Sequence, residues 1–344
     1  MKMSNPVLVI LGSMEDPHVA RVVNELNSRG RIDPLVVDYL NGVRFEFRTD
    51  SNGLASFELA GRRLSEPYLV WDRRKIAPGT HLYVRGDERS SGYAAQEWRA
   101  FYSLLCGVNG EMTVNSLASR RCMIKPYQQM MAAKAGFLVP NTMITNDRGR
   151  ALSFMAECDG HIIMKSISAG KVKPSGEGEY IPYVVMTMRV GEDDLRSATE
   201  EEIEHCPHFF QQEVIKKHEF RVVYVDGRIH AFRVDSQRCR TGEVDWRKGM
   251  GFVQFESGDL DAATRGSIDR YMRSMGLFSG SIDLIVDIDD RVWFLECNQD
   301  GAWGWVDDIV DGAVCRAFAD AFEGRLLSAV ALRDVERMCE SAIS

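Results

Sequence analysis

The chain has 344 residues, of which 45% are hydrophobic and 27% are charged, and it carries a formal net charge of -8. These values are ordinary for a globular protein with two or three subdomains. An acidic chain is not expected to bind nucleic acid, and no apolar run approaches the roughly 18 residues of a membrane span. The eight cysteines form no Cys-x-x-Cys pair. Disulfide frameworks and zinc sites are therefore not expected, and the cytoplasm is the predicted location.

The first elements predict a small open α/β domain. Apolar residues recur with helical spacing between two predicted strands at 7–11 and 35–38, and Gly30 ends that helix. This order is a βαβ start. The turn after the first strand lacks the G-x-G-x-x-G pattern, so it is interpreted as a structural turn and not as a nucleotide site.

Longer helices are predicted further along the chain, at 90–106, 120–135 and 308–326. Pro126 lies near the start of the second of these helices. Because proline lacks a backbone N–H, this position fits either a kink or the first turn of a helix.

A strand that ends at Lys165 precedes the stretch 166–178, which is rich in Ser, Gly, Lys and Pro. This composition predicts a mobile loop and a candidate lid. Another predicted strand is followed by the run Asp72-Arg-Arg-Lys. Such a run is typical of a solvated loop, although adjacent arginines also bind phosphate or acidic partners.

The C-terminal part contains a predicted hairpin with oxygen-bearing side chains at one end. Its strands are 281–286 and 291–296. Asp283 lies in the first strand, and Glu296 and Asn298 lie two residues apart at the end of the second, on one face. Hard divalent cations prefer such oxygen ligands, and magnesium usually shares its shell with substrate phosphates. From the pattern alone, a metal site and a plain hairpin with polar ends both remain open.

Charged residues elsewhere extend this hypothesis. Lys165 projects from a rigid strand, as a phosphate ligand should, and Lys125 lies in a predicted helix; a lone lysine is more often a solvated side chain. Gln212 and Glu213 end a strand that leads into a linker whose backbone could pair with an adenine edge. Glu219 could then bind ribose hydroxyls.

The guanidinium groups of Arg221 and Arg247 match phosphate and developing oxyanions. With the hairpin, they predict a metal-nucleotide site. The P-loop pattern G-x-x-x-x-G-K-[ST] is absent, as are H-R-D, D-F-G, G-x-S-x-G and H-E-x-x-H. P-loop enzymes, protein kinases and the corresponding hydrolases are therefore not supported.

The order of these residues resembles the ATP-grasp superfamily, and more closely the microviridin-type peptide maturases, or graspetide synthetases. The resembling runs cover roughly residues 5–326. They are Val70-Trp-Asp-Arg-Arg, Val114-Asn through Lys125, Val139-Pro-Asn-Thr-Met-Ile-Thr, Met164-Lys-Ser-Ile, Glu219-Phe-Arg, Asp245-Trp-Arg and Phe294-Leu-Glu-Cys-Asn-Gln-Asp-Gly-Ala-Trp-Gly-Trp-Val. The last run is the most specific.

The resemblance implies an α/β (α+β) ATP-grasp fold with three subdomains. The expected divisions are an N-terminal α/β domain at 1–118, a central lid subdomain at 119–205, a C-terminal ATP-grasp subdomain at 206–330 and a tail at 331–344.

It also implies a role for each site residue, with ATP and two magnesium ions as cofactors. Lys125 and Lys165 would contact the ATP phosphates. The adenine hinge and the ribose would be bound by Gln212, Glu213, Val214 and Glu219. The magnesium ions would be bound by Asp283, Glu296 and Asn298. Arg221 and Arg247 would face the acceptor carboxylate and the transferred phosphoryl group.

The implied function is an ATP-dependent macrocyclase in RiPP biosynthesis. It would join Asp or Glu side chains of a ribosomal precursor peptide, with a leader and an acidic core, to Ser/Thr hydroxyls or to Lys. A ligase that adds a free amino acid remains open, and Trp303 and Trp305 favour the macrocyclase. A catalytically silent nucleotide-binding scaffold is a third reading, against which the complete metal set argues. A homodimer is expected from the resemblance.

Overall fold

The computed structural model describes residues 5–38, 43–53, 55–64, 67–73, 88–121, 124–167, 171–172 and 183–343. The strands in these residues, in chain order, are β1 (Val7–Gly12), β2 (Asp33–Asp38), β3 (Phe45–Thr49), β4 (Ala55–Leu59), β5 (Arg62–Leu64), β6 (Tyr68–Asp72), β7 (Thr113–Val114), β8 (Thr142–Thr145), β9 (Ile162–Lys165), β10 (Lys171–Val172), β11 (Tyr183–Val184), β12 (Met188–Val190), β13 (His208–Gln212), β14 (Lys216–Val225), β15 (Arg228–Val234), β16 (Phe255–Gly258), β17 (Ser279–Asp287) and β18 (Val292–Asn298).

The helices are α1 (Pro17–Arg29), α2 (Glu88–Val108), α3 (Leu117–Arg121), α4 (Lys125–Lys134), α5 (Arg148–Glu157), α6 (Glu192–Ser197), α7 (Glu200–Glu204), α8 (Ala262–Ser274), α9 (Gly304–Asp307) and α10 (Ala313–Ile343). None of the helices in the described ranges is long and apolar enough to cross a membrane.

The N-terminal part is built on the parallel sheet β2-β1-β6-β7. Side chains of a strand alternate between its two faces, and β1 is buried on both. Leu8 and Ile10 pack with α1 and α10, whereas Val7, Val9 and Leu11 pack with α2 and the small sheet β3-β4-β5. The predicted open α/β start is confirmed.

The helix α1 begins and ends as its sequence predicts. The side chain of Asp16 caps it by accepting a hydrogen bond from the backbone N–H of His18. Gly30 ends it in the left-handed conformation, with φ of 65°, which glycine adopts without steric cost.

Two large antiparallel sheets and the two-stranded antiparallel sheet β10-β11 follow in the described ranges. The central sheet has the order β12-β9-β13-β8 and packs against α5. The C-terminal sheet has the order β16-β15-β14-β17-β18. One of its faces packs against α4 and α8 through residues such as Ile282, Leu284 and Phe294.

The opposite face of the C-terminal sheet changes character along β14. Val223 and Val225 pack into the core shared with α10, whereas Glu219 and Arg221 lie toward the other end of the same strand face. One row of side chains therefore joins the N-terminal core to a polar region between the two large sheets.

Several predicted boundaries differ from the structure. The helix predicted at 120–135 is two helices, α3 and α4, and Pro126 lies in the first turn of α4 because its missing N–H costs nothing there. The last helix begins at Ala313 and continues to Ile343, well beyond its predicted end. Most of the predicted lid, 166–178, lies outside the described residues.

The subdomain divisions at 118, 205 and 330 stay a prediction, and the contacts of β13 and α10 do not follow them. β13 follows the division at 205 but hydrogen-bonds to β8 and β9 of the central sheet. The predicted tail belongs to α10, whose first half packs on the N-terminal core.

Candidate functional site

A cleft lies where the central and C-terminal sheets face each other. Side chains and backbone from β9, β13, β14, β17 and β18 line it. Its lining contains most of the predicted site residues: Lys125, Lys165, Gln212, Glu213, Val214, Glu219, Arg247, Asp283 and Glu296. Sequence positions as far apart as 125 and 296 thus meet in one place.

Two lysines supply positive charge to the cleft. Lys125 opens α4, donates a hydrogen bond to the Ser166 carbonyl over 3.0 Å and lies 3.7 Å from a carboxylate oxygen of Glu296. Lys165 ends β9, and its Nζ donates to Oε1 of Gln211 over 2.7 Å. Burial lowers the pKa of Lys165 to about 8, against the opposing effect of Glu296. An ammonium held in this way is available to an anionic ligand.

Two carboxylates lie opposite each other in the cleft. Asp283 on β17 pairs in register with Glu296 on β18. Burial raises the pKa of Asp283 despite the nearby Arg221. Burial would also raise the pKa of Glu296, but Lys125 and Arg247 outweigh it, so that pKa is lowered. The two carboxylates are therefore held in different electrostatic environments.

A β-bulge places Glu296 in the cleft. In the β17–β18 pairing, Asp283 lies opposite Glu296 but Leu284 lies opposite Phe294, so Leu295 is an extra residue without a partner. Leu295 and Glu296 both line the cleft, whereas Phe294 is fully buried in the core on the other face. Regular alternation would place Phe294 and Glu296 on the same face.

The adenine-hinge and ribose candidates lie at the end of the cleft formed by β13 and β14. The backbone N–H groups of Gln212 and Glu213 donate to the carbonyls of Asn141 and His161, which fixes the end of β13. Glu219 is buried and accepts hydrogen bonds from Lys216 over 2.9 Å and from Ser236 over 2.6 Å. Burial raises the pKa of Glu219, while Lys216 acts in the opposite direction.

Arg247 extends into the cleft from a short 3-10 turn, Trp246–Gly249. Its guanidinium makes two hydrogen bonds to Asp245, over 2.8 and 2.7 Å, and its Nη1 lies 3.5 Å from Glu296. The hydrogen bonds that Arg247 donates to Asp245 raise the pKa of this arginine. Asp245 thus orients a permanently charged fork toward the end of the cleft that holds the carboxylates.

Arg221 and Asn298 do not line the cleft. Arg221 is only 4% exposed, and its Nη1 donates to Asp283 over 2.9 Å. Asn298 is exposed, and its Nδ2 lies 3.3 Å from Oε1 of Glu296. The structure therefore places Asn298 beside Glu296, and it places Arg221 beside Asp283, toward which its guanidinium is turned.

No protein-family model matches the sequence, and no curated protein matches it. Solved structures do match. The RiPP-associated ATP-grasp ligase of Chryseobacterium gregarium, determined with ADP and a leader and core peptide, gives a TM-score of 0.82 at 23% identity, over 93% of this chain and 97% of that one. Macrocyclase MdnC from Microcystis aeruginosa MRC, bound with the precursor peptide MdnA, gives 0.78 at 23% identity, over 93% and 99%.

The ATP-grasp ligase PsnB, complexed with a minimal precursor, Mg and ADP, gives a TM-score of 0.71 at 21% identity, over 94% of this chain and 100% of that one. All three matches extend over nearly the whole of both chains. The chain has the ATP-grasp fold. The fold predicted from the resemblance is therefore confirmed, and the cleft lies between the central and C-terminal sheets of this ATP-grasp fold.

The donor set of the ATP-grasp cleft fits magnesium. Asp283 and Glu296 face each other across two strands, and each disfavours the ionised form of the other unless a cation lies between or beside them. Asn298 adds an amide oxygen at the rim. Within the described ranges no three His, Cys, Asp or Glu side chains gather as a metal site. Two carboxylates and one amide suit an ion that also uses phosphate oxygens and water.

Some residues of the cleft are absent from the sequence-based predictions. Lys216 and Trp246 line it, as does Gln211, which is fully buried and bonded to Lys165. Gln211 and Gln212 are adjacent on β13, so their side chains point to opposite faces of the strand. One of the two must therefore lie on the inward face of this apolar strand, and a polar residue there could have indicated the site from the sequence. Lys216 precedes an irregularity in the β14–β17 register, which local periodicity does not reveal.

Proposed function

We propose that this protein is an ATP-dependent peptide ligase. It activates Asp or Glu side chains of a ribosomally made precursor peptide and joins them to Ser/Thr hydroxyls as ω-esters or to Lys as ω-amides within the same peptide. The observation that carries the proposal is the cleft of the ATP-grasp fold, in which Lys125, Lys165 and Arg247 surround the pair Asp283 and Glu296. The Chryseobacterium gregarium ligase and MdnC, which share the fold, were both determined with precursor peptides.

The role proposed for each residue follows from its charge and position. Lys125 and Lys165 bind the phosphates of ATP, since both ammonium groups face the cleft. Gln212, Glu213 and Val214 hold the adenine, and Glu219 with Lys216 lies where the ribose hydroxyls need polar partners. Asp283, Glu296 and Asn298 hold magnesium, which when bound neutralises charge on the phosphates.

The chemistry requires activation because a carboxylate would have to expel oxide. Transfer of the γ-phosphoryl group from ATP to the carboxylate gives an acylphosphate and ADP, and attack by a hydroxyl or amine then releases phosphate. Arg247 is exposed at the acidic end of the cleft and held by Asp245, which supports a role in stabilising the oxyanion that forms during this attack. Loss of one such donor typically costs roughly 10²–10³ in rate.

The decisive experiment is mass spectrometry of a precursor peptide encoded beside this gene and incubated with the protein, ATP and magnesium. The proposal predicts a loss of one water per ring, which requires ATP and is absent with Glu296→Gln. A gain in peptide mass equal to that of an amino-acid residue would instead identify the amino-acid ligase. ATP hydrolysis with an unchanged peptide would refute the peptide substrate, and a protein that binds ATP without any turnover would be the silent scaffold.

We also propose that two copies of the chain associate through an apolar surface on the N-terminal part. This α2 surface consists of Phe45, Tyr93, Trp98, Phe101 and Leu104, and it forms a groove lined almost wholly by apolar groups. Tyr93 is 66% exposed and Phe45 is 43% exposed, although Phe45 stacks on Phe101 at 3.8 Å. Clustered exposed aromatic groups are typical of protein interfaces. None of these residues lines the nucleotide cleft, so two copies could associate there without covering it.

Sedimentation of the protein tests this association. The wild type should have the mass of a dimer, and Leu104→Glu should convert it to a monomer. Ile288→Glu is the matched control, because Ile288 is an exposed apolar residue in the β17–β18 turn. A monomeric wild type, or a Leu104→Glu protein that remains dimeric, would refute this interface.

The cysteines bear on the location of the protein. All seven cysteines in the described ranges are free. We propose a reducing compartment, the cytoplasm, because free thiols persist there.

A further inference from the structure

The partly buried Asp16 and the buried His18 and Arg73 form a cluster in the N-terminal part, away from the cleft. Asp16 accepts a hydrogen bond from Nδ1 of His18 over 2.5 Å and one from Nε of Arg73 over 3.2 Å. Arg73 is 3% exposed and His18 is 7% exposed. None of the three lines the cleft.

This cluster holds the backbone of residues 300–304, here called the 300–304 segment. Nε2 of His18 accepts from the backbone N–H groups of Trp303 and Gly304, over 2.9 and 3.0 Å. Nη1 of Arg73 donates to the carbonyls of Asp300 and Gly301, over 3.0 and 3.3 Å. Both ends of the segment are therefore bound to the N-terminal part.

These bonds determine which nitrogen of His18 carries its proton. Because Nε2 accepts two N–H bonds, it has no hydrogen of its own, and the proton lies on Nδ1, where it is donated to Asp16. Asp16 thus fixes the tautomer of His18 in which the ring can bind the segment.

The other side of the 300–304 segment contacts Arg221. The Ala302 carbonyl accepts a hydrogen bond from Nη2 of Arg221 over 3.2 Å. A side-chain carbon at Gly301 would lie 2.3 Å from Ser281 and 2.9 Å from Nη2 of Arg221, so the segment packs directly on this guanidinium. Nη1 of the same group donates to Asp283. A continuous series of bonds thus runs from His18 to a carboxylate of the cleft.

We propose that Asp16, His18 and Arg73 are positioning residues, which hold Arg221 and Asp283 in place through the 300–304 segment. The inference rests on the proposed ligase function. It also changes the role expected for Arg221: its guanidinium orients Asp283 from the buried side and does not face the acceptor carboxylate. Trp303, which is 1% exposed and stacks on Phe318, belongs to this support and not to a peptide surface.

Kinetics of His18 variants test the proposal. His18→Ala should lower kcat by about 10²-fold, since small misplacements of reacting groups have effects of this size. His18→Gln should restore most of the rate, because its Oε1 can accept the N–H bonds that Nε2 accepts. Arg29→Ala is the matched control: Arg29 also lies on α1 and pairs with Asp320 of α10, but it does not touch the segment.

Nucleotide binding provides a readout that does not depend on turnover. In His18→Ala, the Kd of ADP without magnesium should match the wild type, whereas the factor by which magnesium tightens ADP binding should fall. Arg73→Lys should behave in the same way, because lysine keeps the charge beside Asp16 but has one nitrogen in place of Nε, which binds Asp16, and Nη1, which binds the two carbonyls. This variant tests the proposal even if His18→Ala does not fold.

The outcomes are separable. Equal losses in His18→Ala and Arg29→Ala, or no recovery in His18→Gln, would show that the cluster only joins two parts of the fold. A wild type that makes no peptide product refutes the proposed substrate but leaves the binding test intact. Unchanged magnesium dependence in both His18→Ala and Arg73→Lys would overturn the positioning role.

Discussion

Replacing Lys165 by methionine should weaken nucleotide binding by a large factor while leaving the fold intact. Methionine keeps the length and apolar stem of the side chain, so the main loss is the ammonium that bonds Gln211 and faces the cleft. A hydrogen bond to a charged group contributes about 1.5–3 kcal/mol. Since about 1.4 kcal/mol corresponds to a tenfold change, the Kd of ADP should rise roughly 10- to 140-fold.

The same lysine predicts how affinity depends on pH. Burial lowers the pKa of Lys165 to about 8, and an anionic phosphate favours its charged form. Nucleotide binding therefore raises this pKa, and affinity should be greatest below a pH of about 8 and decline as the pH rises through it. Lys165→Met should lack that decline.

Calorimetric titration with ADP and a metal chelator, across this pH range, measures both effects. Lys217→Met is the matched control, because Lys217 is a half-exposed lysine whose Nζ pairs with Asp290 at the far end of the hairpin. A Kd for Lys165→Met close to that of Lys217→Met would show that Lys165 does not bind phosphate. A decline with pH that persists in Lys165→Met would assign it to another group.

Three further changes should each have a distinct effect. Glu296→Gln should abolish magnesium-dependent ATP turnover, as measured by activity assays, while calorimetry should show that ADP still binds without metal. Normal turnover would show that Glu296 is not a metal ligand. Arg247→Ala should still bind ATP but form product roughly 10²–10³ times more slowly, because it lacks an oxyanion donor. Rapid-quench analysis measures this rate, and product formation at the normal rate would show that the arginine is structural. Asp16 has a pKa lowered to about 2, since the hydrogen bond from His18 and the charge of Arg73 outweigh its burial. Its ionised form therefore adds about 2 kcal/mol to the free energy of unfolding above a pH of about 4, and this contribution is lost as the pH falls toward 2. In urea unfolding, the difference in stability between the wild type and Asp16→Asn should therefore narrow over that range. A constant difference would contradict this pairing.

Local patterns in the sequence were sufficient to predict parts of the site that depend on one or two elements. The position of Lys165 at the end of a strand, and of Asp283 and Glu296 on one hairpin, can be predicted from strand and turn residues. The resemblance then brought these pieces together. The structure places them in one cleft, although their roles there remain proposals.

Features that depend on distant contacts could not be predicted in this way. Arg73 follows a strand in a charged run typical of a solvated loop, yet it is buried because it binds backbone carbonyls more than two hundred residues further along the chain. Trp303 lies in the tryptophan-rich run that favours the macrocyclase, but the sequence does not show that its side chain fills the core against α10. In both cases the groups that the side chain contacts depend on how the subdomains pack. Local periodicity in the sequence does not predict these contacts.

The β-bulge at Leu295 acts as a shift of phase in the last strand of the C-terminal sheet. Before it, Phe294 follows the alternation that fills the core; after it, Glu296 follows the alternation that serves the cleft. The one extra residue thus allows a single strand to place Phe294 in the core and Glu296 in the cleft, which regular alternation does not allow. A consequence is that length matters here more than side-chain identity: deletion of Leu295 would turn either Glu296 into the core or Phe294 out of it, whereas Leu295→Val would leave both patterns in place.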